Sequence, residues 1–211
     1  MTIASNTPAR QSIEAYVTLL DWRRRVAAMY AEVRAQLARD PIGAHRRWRE
    51  CRDDLFRNHP QSAIRADERG TFAGLRYFEY DSRLAFTAKI RPVPEEQYDV
   101  TTSGGSTIRF VRFGAVDLPV GTLEVLWLDA YGGGVFLPFR DATGGKSTYG
   151  GGRYLLDTAK GADLGARGDA LVVDFNFAFH PSCAYDAKWV CPLAPLQNSL
   201  AIAIEAGERM R

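Results

Sequence analysis

Residues 139–154 read Phe-Arg-Asp-Ala-Thr-Gly-Gly-Lys-Ser-Thr-Tyr-Gly-Gly-Gly-Arg-Tyr and hold the densest polar chemistry in the chain. Arg140, Lys146 and Arg153 supply three cations, Asp141 a carboxylate, and Thr143, Thr148, Tyr149 and Tyr154 hydroxyls. The glycines leave backbone N–H groups open and let a ligand approach closely. An arginine fork donates two parallel hydrogen bonds, which suits a carboxylate or a phosphate. The segment therefore reads as a site for a small anion, with Arg140 and Arg153 as clamps and Lys146 as a third cation. A surface hairpin with glycines in its turns and solvated charges fits the same residues. Gly-Gly-Lys-Ser is not a phosphate loop, because Arg140 stands where its first glycine belongs and no helical pattern follows. The dinucleotide fingerprint fails at Leu155, where a third glycine is needed. Neither Gly-x-Ser-x-Gly nor His-Glu-x-x-His occurs.

A second group is His180, Cys183 and Cys191, spaced His-x2-Cys-x7-Cys. Three zinc ligands are there by type, but a fourth is not evident and the spacing matches no standard knuckle. A disulfide closing this loop is stereochemically conceivable, and a catalytic thiol at Cys183 would need a nearby base or cation. Inert buried thiols fit as well. A third group lies on the segment 170–180, where alternation places Leu171, Val173, Phe175, Phe177 and Phe179 on one face. Asp174 and Asn176 then point the other way, into solvent or into the lumen of a barrel. In a lumen they are polar groups held on a rigid strand, and Asp174 is a candidate base.

These groups need elements to position them. Residues 1–70 contain only Gly43 and Gly70 of the 19 glycines, which suits helices. Thr7-Pro8 is a start signal, followed by Ile13, Val17 and Leu20 and then Val26, Tyr30, Val33 and Leu37 at helical spacing. Asp40-Pro41 starts a second helix with the stripe Ala44, Trp48, Leu55 and Phe56, ended by His59-Pro60. Arg46, Arg47, Arg49, Arg52 and Arg57 between them read as a solvated face, and Cys51 as core or half-buried. Strands are expected over 72–80, 83–93, 97–102, 107–116, 121–130, 134–139, 152–157, 170–179 and 199–205. Nine short strands without crossover helices imply antiparallel pairing in a barrel or sandwich. The expected fold is thus α+β, a two-helix extension (residues 1–70) on an antiparallel β-barrel-like domain (71–211).

The 211 residues carry 27 Lys+Arg against 25 Asp+Glu and are 46% hydrophobic, which excludes disorder and collagen-like sequence. Three cysteines cannot make a disulfide scaffold. A near-neutral balance argues against nucleic acid as partner, and no apolar run is long enough for a membrane helix. Without an export signal, a cytoplasmic location with reduced thiols is expected.

Phe-Leu-Pro-Phe-Arg-Asp-Ala-Thr (136–143), Lys146, Thr148-Tyr149-Gly150, Gly152-Arg153-Tyr154, Asp174-Phe175-Asn176, Pro181-x-Cys183-Ala184, Cys191-Pro192-Leu193, Asn198 and Ala206-Gly207-Glu208 recur in order. With Trp22-Arg23 and Phe72-x-Gly74-Leu75-x-Tyr77-Phe78, this signature resembles a bacterial and archaeal family classified as a domain of unknown function. The chain departs from it at His180, where Asn is expected, and at Gly144, where Ser is expected. The resemblance attaches no reaction. It does imply that the polar residues form a shared site rather than a surface hairpin. Some relatives look exported, which implies a Cys183–Cys191 bridge there.

The expectation is a polar pocket lined by Arg140, Asp141, Lys146, Tyr149, Arg153, Tyr154 and Asn176, binding a small carboxylate or phosphate. Asp174 or Cys183 is the base or nucleophile if chemistry occurs there. No metal is expected, no cofactor is named, and self-association stays open. The alternatives are a flavin-binding split barrel or a protein-interaction module whose arginine-rich helices dock a partner.

Overall fold

Ser12 opens helix α1 (Ile13–Leu37), its hydroxyl accepting from Ala15 N at 3.2 Å in the computed structural model, which describes residues 12–210. The Thr7-Pro8 signal lies outside the described residues. Met29, Tyr30, Val33 and Leu37 are buried, whereas Ile13, Val17 and Leu20 remain exposed: the first half of the helix meets the 59–61 turn through Ala15, Thr18 and Asp21, on other positions. Asp40 caps α2 (Pro41–Asn58) by accepting from Gly43 N at 2.8 Å, with Pro41 where no N–H is required. The expected stripe of α2 is buried, together with His45 and Arg52.

Among the described residues ten strands follow, in three antiparallel sheets. The largest is a five-stranded meander of β3 (Arg91–Thr101), β4 (Thr107–Leu118), β5 (Gly121–Leu128), β6 (Val135–Phe139) and β7 (Arg153–Asp157). A second orders β2 (Ala85–Lys89), β9 (Ala170–Asp174) and β8 (Ala166–Arg167). The third pairs β1 (Arg76–Tyr77) with β10 (Glu208–Arg209). The α+β class with two leading helices stands. No pairing joins β3 to β7 among the described residues, so the large sheet stays open.

Several expected strands change length. The span 72–80 keeps only β1, and 83–93 divides into β2 and the start of β3, which also takes in 97–102. Pro92 and Pro94 bring no N–H to the ladder, and the β3–β4 register shifts between Pro92 and Glu96. Residues 199–205 form no strand. The span 170–179 is strand only to Asp174. There the carboxylate accepts from Asn176 N at 2.9 Å and turns the chain into a short 3-10 helix, Phe175–Phe177. Every residue from Val172 to Ala178 is buried, so the expected separation of a core face from a polar face does not occur.

One core joins helices and sheets. Trp48 of α2 is fully enclosed, with ring centroids 5.5 Å from Tyr77 and 5.3 Å from Phe177. The segment 191–208 then lies across the sheet without extending it. Gly207 permits its closest approach: φ is +73°, and a Cβ there would sit 2.6 Å from the carbonyl oxygens of both Phe175 and Ala178.

Candidate functional site

The glycine-rich loop joins β6 to β7, and its two arginines turn inward onto backbone. Arg140 donates from Nε to Ala194 O (2.5 Å) and from Nη1 to Gly150 O (2.8 Å). Arg153, 1% exposed, donates from Nη1 to Ala206 O (2.5 Å) and from Nη2 to Ile204 O (2.8 Å). Its Nη2 also lies 3.3 Å from Asp141 Oδ1. Burial pulls the Arg153 pKa down, and the Asp141 carboxylate opposes that shift. Asp141 further accepts from Ile204 N and Thr143 Oγ1, both at 2.7 Å. Lys146 is exposed, in a turn closed by its own N–H to Thr143 O at 3.0 Å. These guanidinium groups tie the 191–208 segment down.

Asp174 and Asn176 form a second, separate unit. Asn176 donates from Nδ2 to Asp81 O (2.9 Å) and accepts at Oδ1 from Asp81 N (2.8 Å). Its Nδ2 also lies 2.8 Å from Asp174 Oδ1. Asp174 borders a groove of about 280 Å³ with Leu37, Tyr80, Phe86 and Arg167, which contains none of the loop cations. Tyr149 and Cys183 are brought together, with Cys183 Sγ 3.7 Å from Tyr149 Oη. The sequence-expected residues thus fall into three groups rather than one hollow, with Tyr154 apart from all three.

A different cavity of about 100 Å³ lies between the helix pair and β7, and of the expected residues it takes Tyr154. Its walls are aromatic: Trp22 and Tyr30 from α1, Phe56 from α2, Tyr154 from β7, and Phe179. The Tyr154 hydroxyl donates to Pro192 O. Arg52 enters from α2, donating from Nη2 to Glu208 Oε2 at 2.6 Å and from Nε to Tyr77 Oη at 3.2 Å. Its guanidinium carbon stands 4.9–5.3 Å from the ring centres of Trp48, Phe56 and Phe179. Burial alone would lower the Arg52 pKa, but the Glu208 carboxylate and the tyrosines around it raise it. Arg52 is therefore a permanent cation in an apolar setting.

His180, also in the wall, is held neutral. Burial first, then Arg153 and Arg52, push its pKa down to about 3. Its Nε2 accepts from Tyr149 N at 3.3 Å, which places the ring proton on Nδ1, 3.8 Å from Glu208 Oε1. Asp157 sits at the rim with Lys160 Nζ 3.3 Å away. Tyr30 is 1% exposed and burial drives its pKa up to about 12; its side-chain hydrogen-bonding neighbour is Trp48, whose indole only donates, so among the described residues the Tyr30 hydroxyl proton has no acceptor.

Arg52, Tyr30 and Glu208 were not among the expected site residues. For Arg52 a signal existed: it stands four residues after Trp48 and four before Phe56, on their helix face rather than between faces. Among the described residues no cluster of His, Cys, Asp and Glu is arranged to hold a metal ion, and no helix is long and apolar enough to cross a membrane.

The same architecture is seen elsewhere. An uncharacterized protein of Haloarcula marismortui, solved by NMR in solution, is 32% identical with a TM-score of 0.55. The likeness covers 82% of this chain and 96% of that one, more than residues 70–209 alone could supply, so it reaches into the helical segment. No curated protein matches the chain. The family model described as "Protein of unknown function (DUF1684)" matches residues 70–209, from the end of the helical segment through the Glu208 that receives Arg52, and the chain belongs to that family.

Proposed function

We propose that the protein binds a small carboxylate-bearing molecule in the cavity between the helix pair and β7. The observation that carries this reading is the buried Tyr30 hydroxyl, whose proton has no acceptor among the described residues, in the wall that also holds Arg52. A buried polar group left unbonded costs roughly 1–3 kcal/mol, and an acceptor bound in the cavity would supply the missing bond. Arg52 Nη1, which makes no hydrogen bond among the described residues, offers a second donor. Trp22, Phe56 and Phe179 would pack the hydrocarbon part, while Lys160 at the rim is already paired with Asp157. Because Glu208 already neutralises Arg52, directed hydrogen bonds would hold the carboxylate more than net charge would.

Size narrows the class. A cavity of about 150 Å³ accepts the six carbons of benzene, so about 100 Å³ limits the enclosed part of the ligand to roughly four heavy atoms. A flavin asks for several times that room. The expected anionic ligand is thus kept in kind, with its seat moved from the Arg140–Arg153 loop to the helix–sheet cavity.

The test titrates butyrate and its neutral counterpart butyramide into the wild type and Tyr30→Phe, following amide chemical shifts and thermal midpoint. Butyrate is expected to saturate the wild type with shifts at Tyr30, Arg52 and His180. Tyr30→Phe is expected to fold with equal or greater stability and to lose about tenfold in affinity, one hydrogen bond's worth. Butyrate that leaves those resonances unmoved, or binds Tyr30→Phe equally well, overturns the reading.

A further inference from the structure

The cysteine loop carries chemistry that the cavity does not use. Cys183 sits half-buried on a 3-10 turn, Ser182–Ala184, and its thiol meets the Tyr149 hydroxyl at 3.7 Å. The Cys191 thiol and the Ser103 hydroxyl are its other side-chain neighbours. Cys191 is buried and clamped to the end of β3. Its N–H donates to Ser103 Oγ at 3.1 Å, its carbonyl accepts from Ser103 N at 2.9 Å, and the next residue, Pro192, bridges to Thr102. Two free thiols on segments pinned independently therefore face each other across an eight-residue separation.

We propose that Cys183 and Cys191 are a reactive dithiol that reduces small disulfides, with Cys183 as the attacking thiol and Cys191 as the resolving one. The Cys183 thiolate attacks one sulfur of a disulfide R–S–S–R. The S–S bond breaks, and R–S⁻ leaves and takes a proton from water. The Cys191 thiol then loses its proton and attacks Cys183 Sγ, forming the Cys183–Cys191 bond and releasing the second R–S⁻, which is protonated in turn. Two protein thiols are oxidised to one disulfide, and one R–S–S–R is reduced to two R–SH.

The surroundings divide the roles. Hydrogen bonds from Cys191, and then from Ser103 and Tyr149, outweigh burial and lower the Cys183 pKa to about 6, while the Cys191 pKa is raised by its contact with Cys183 and by burial. The thiol that ionises first is the partly accessible one, as the attacking role requires. Cys51, on α2, is an internal control: it is half-buried, and burial raises its pKa. This inference is independent of any carboxylate ligand. It does bear on the cavity wall, which includes Pro181, Ser182 and Cys191.

The experiment incubates the full chain with glutathione disulfide at neutral pH and reads intact mass and peptide maps. The expected wild-type product has lost two hydrogens, carries no glutathione, and yields a linked Cys183–Cys191 peptide with Cys51 still reduced. Cys191→Ser is expected to hold one glutathione on Cys183, and Cys183→Ser to react at least about tenfold more slowly than the wild type. Blocking with iodoacetamide should modify Cys183 with a midpoint near pH 6. A wild type that keeps a glutathione adduct without closing, or in which Cys183 reacts no faster than Cys51, overturns the proposal. The wild-type arm decides the question whether or not the serine variants fold.

Discussion

Asp174 keeps its carboxyl where water scarcely reaches, 2% exposed, and burial lifts its pKa from 3.8 to about 6 against two opposing hydrogen bonds from Asn176. The sign follows from linkage. The folded state holds this proton more tightly than the unfolded chain does. Its contribution therefore favours folding below about pH 4 and is lost as pH rises through about 6. Denaturant midpoints measured across that window should show a falling slope of about one proton in the wild type. Asp174→Asn should flatten that slope, since Asn keeps an oxygen for the Asn176 donors. At the same scale, residue types were legible and their targets were not. Arg140 and Arg153 have the chemistry of anion clamps, but a guanidinium donates equally well to a passing carbonyl, and the carbonyls of Ala194, Ile204 and Ala206 arrive from fifty residues downstream. Arg52 was hidden among neighbouring arginines that do face solvent.

Asn176 is the pin between two elements, joining the turn at Asp81 to the 3-10 turn after β9 through both its donor and its acceptor. Asn176→Ala leaves the Asp81 backbone groups unmatched and should cost about 2–3 kcal/mol by chemical denaturation. The Asp81 amide should also lose most of its protection from hydrogen exchange. The helices were readable because capping is local: Asp40 and Pro41 fix the start of α2, and Trp48, Leu55 and Phe56 point one way. The hairpins β3–β4 and β4–β5 were readable for a similar reason, through their short turns at 102–106 and 119–120. Alternation failed at 170–180. It assumes one wet face, whereas here both sides are covered and the Asp174 side chain diverts the backbone locally. The 199–205 segment carries the apolar residues of a strand, but its bonding partners are side chains and single bridges, which no period of two reveals.

In the whole molecule, the Arg52–Glu208 pair fastens the helical segment to β10 inside the shared core. Arg52→Met strands a buried carboxylate and should cost about 3–5 kcal/mol, lowering the melting midpoint by roughly 10 °C. Adding Glu208→Gln should recover much of that loss, and a double variant no more stable than Arg52→Met would mean the pair does not couple the two parts. The open sheet has the same origin. Side chains of α1, α2 and the covering 191–208 segment pack with those of β4 to β7 in the shared core, so the sheet is buried without closing into a barrel. That covering segment has a consequence for how the chain is made. Ile204, Ala206 and Glu208 supply the acceptors for Arg153 and Arg52, and Ile204 N caps Asp141. A nascent polypeptide halted before residue 204 would leave Arg153 with Asp141 and Arg52 with Tyr77, but without the acceptors that Ile204, Ala206 and Glu208 bring to them. It would stay loose on the ribosome, and locking of the native state would have to await the emergence of residue 208 from the exit tunnel.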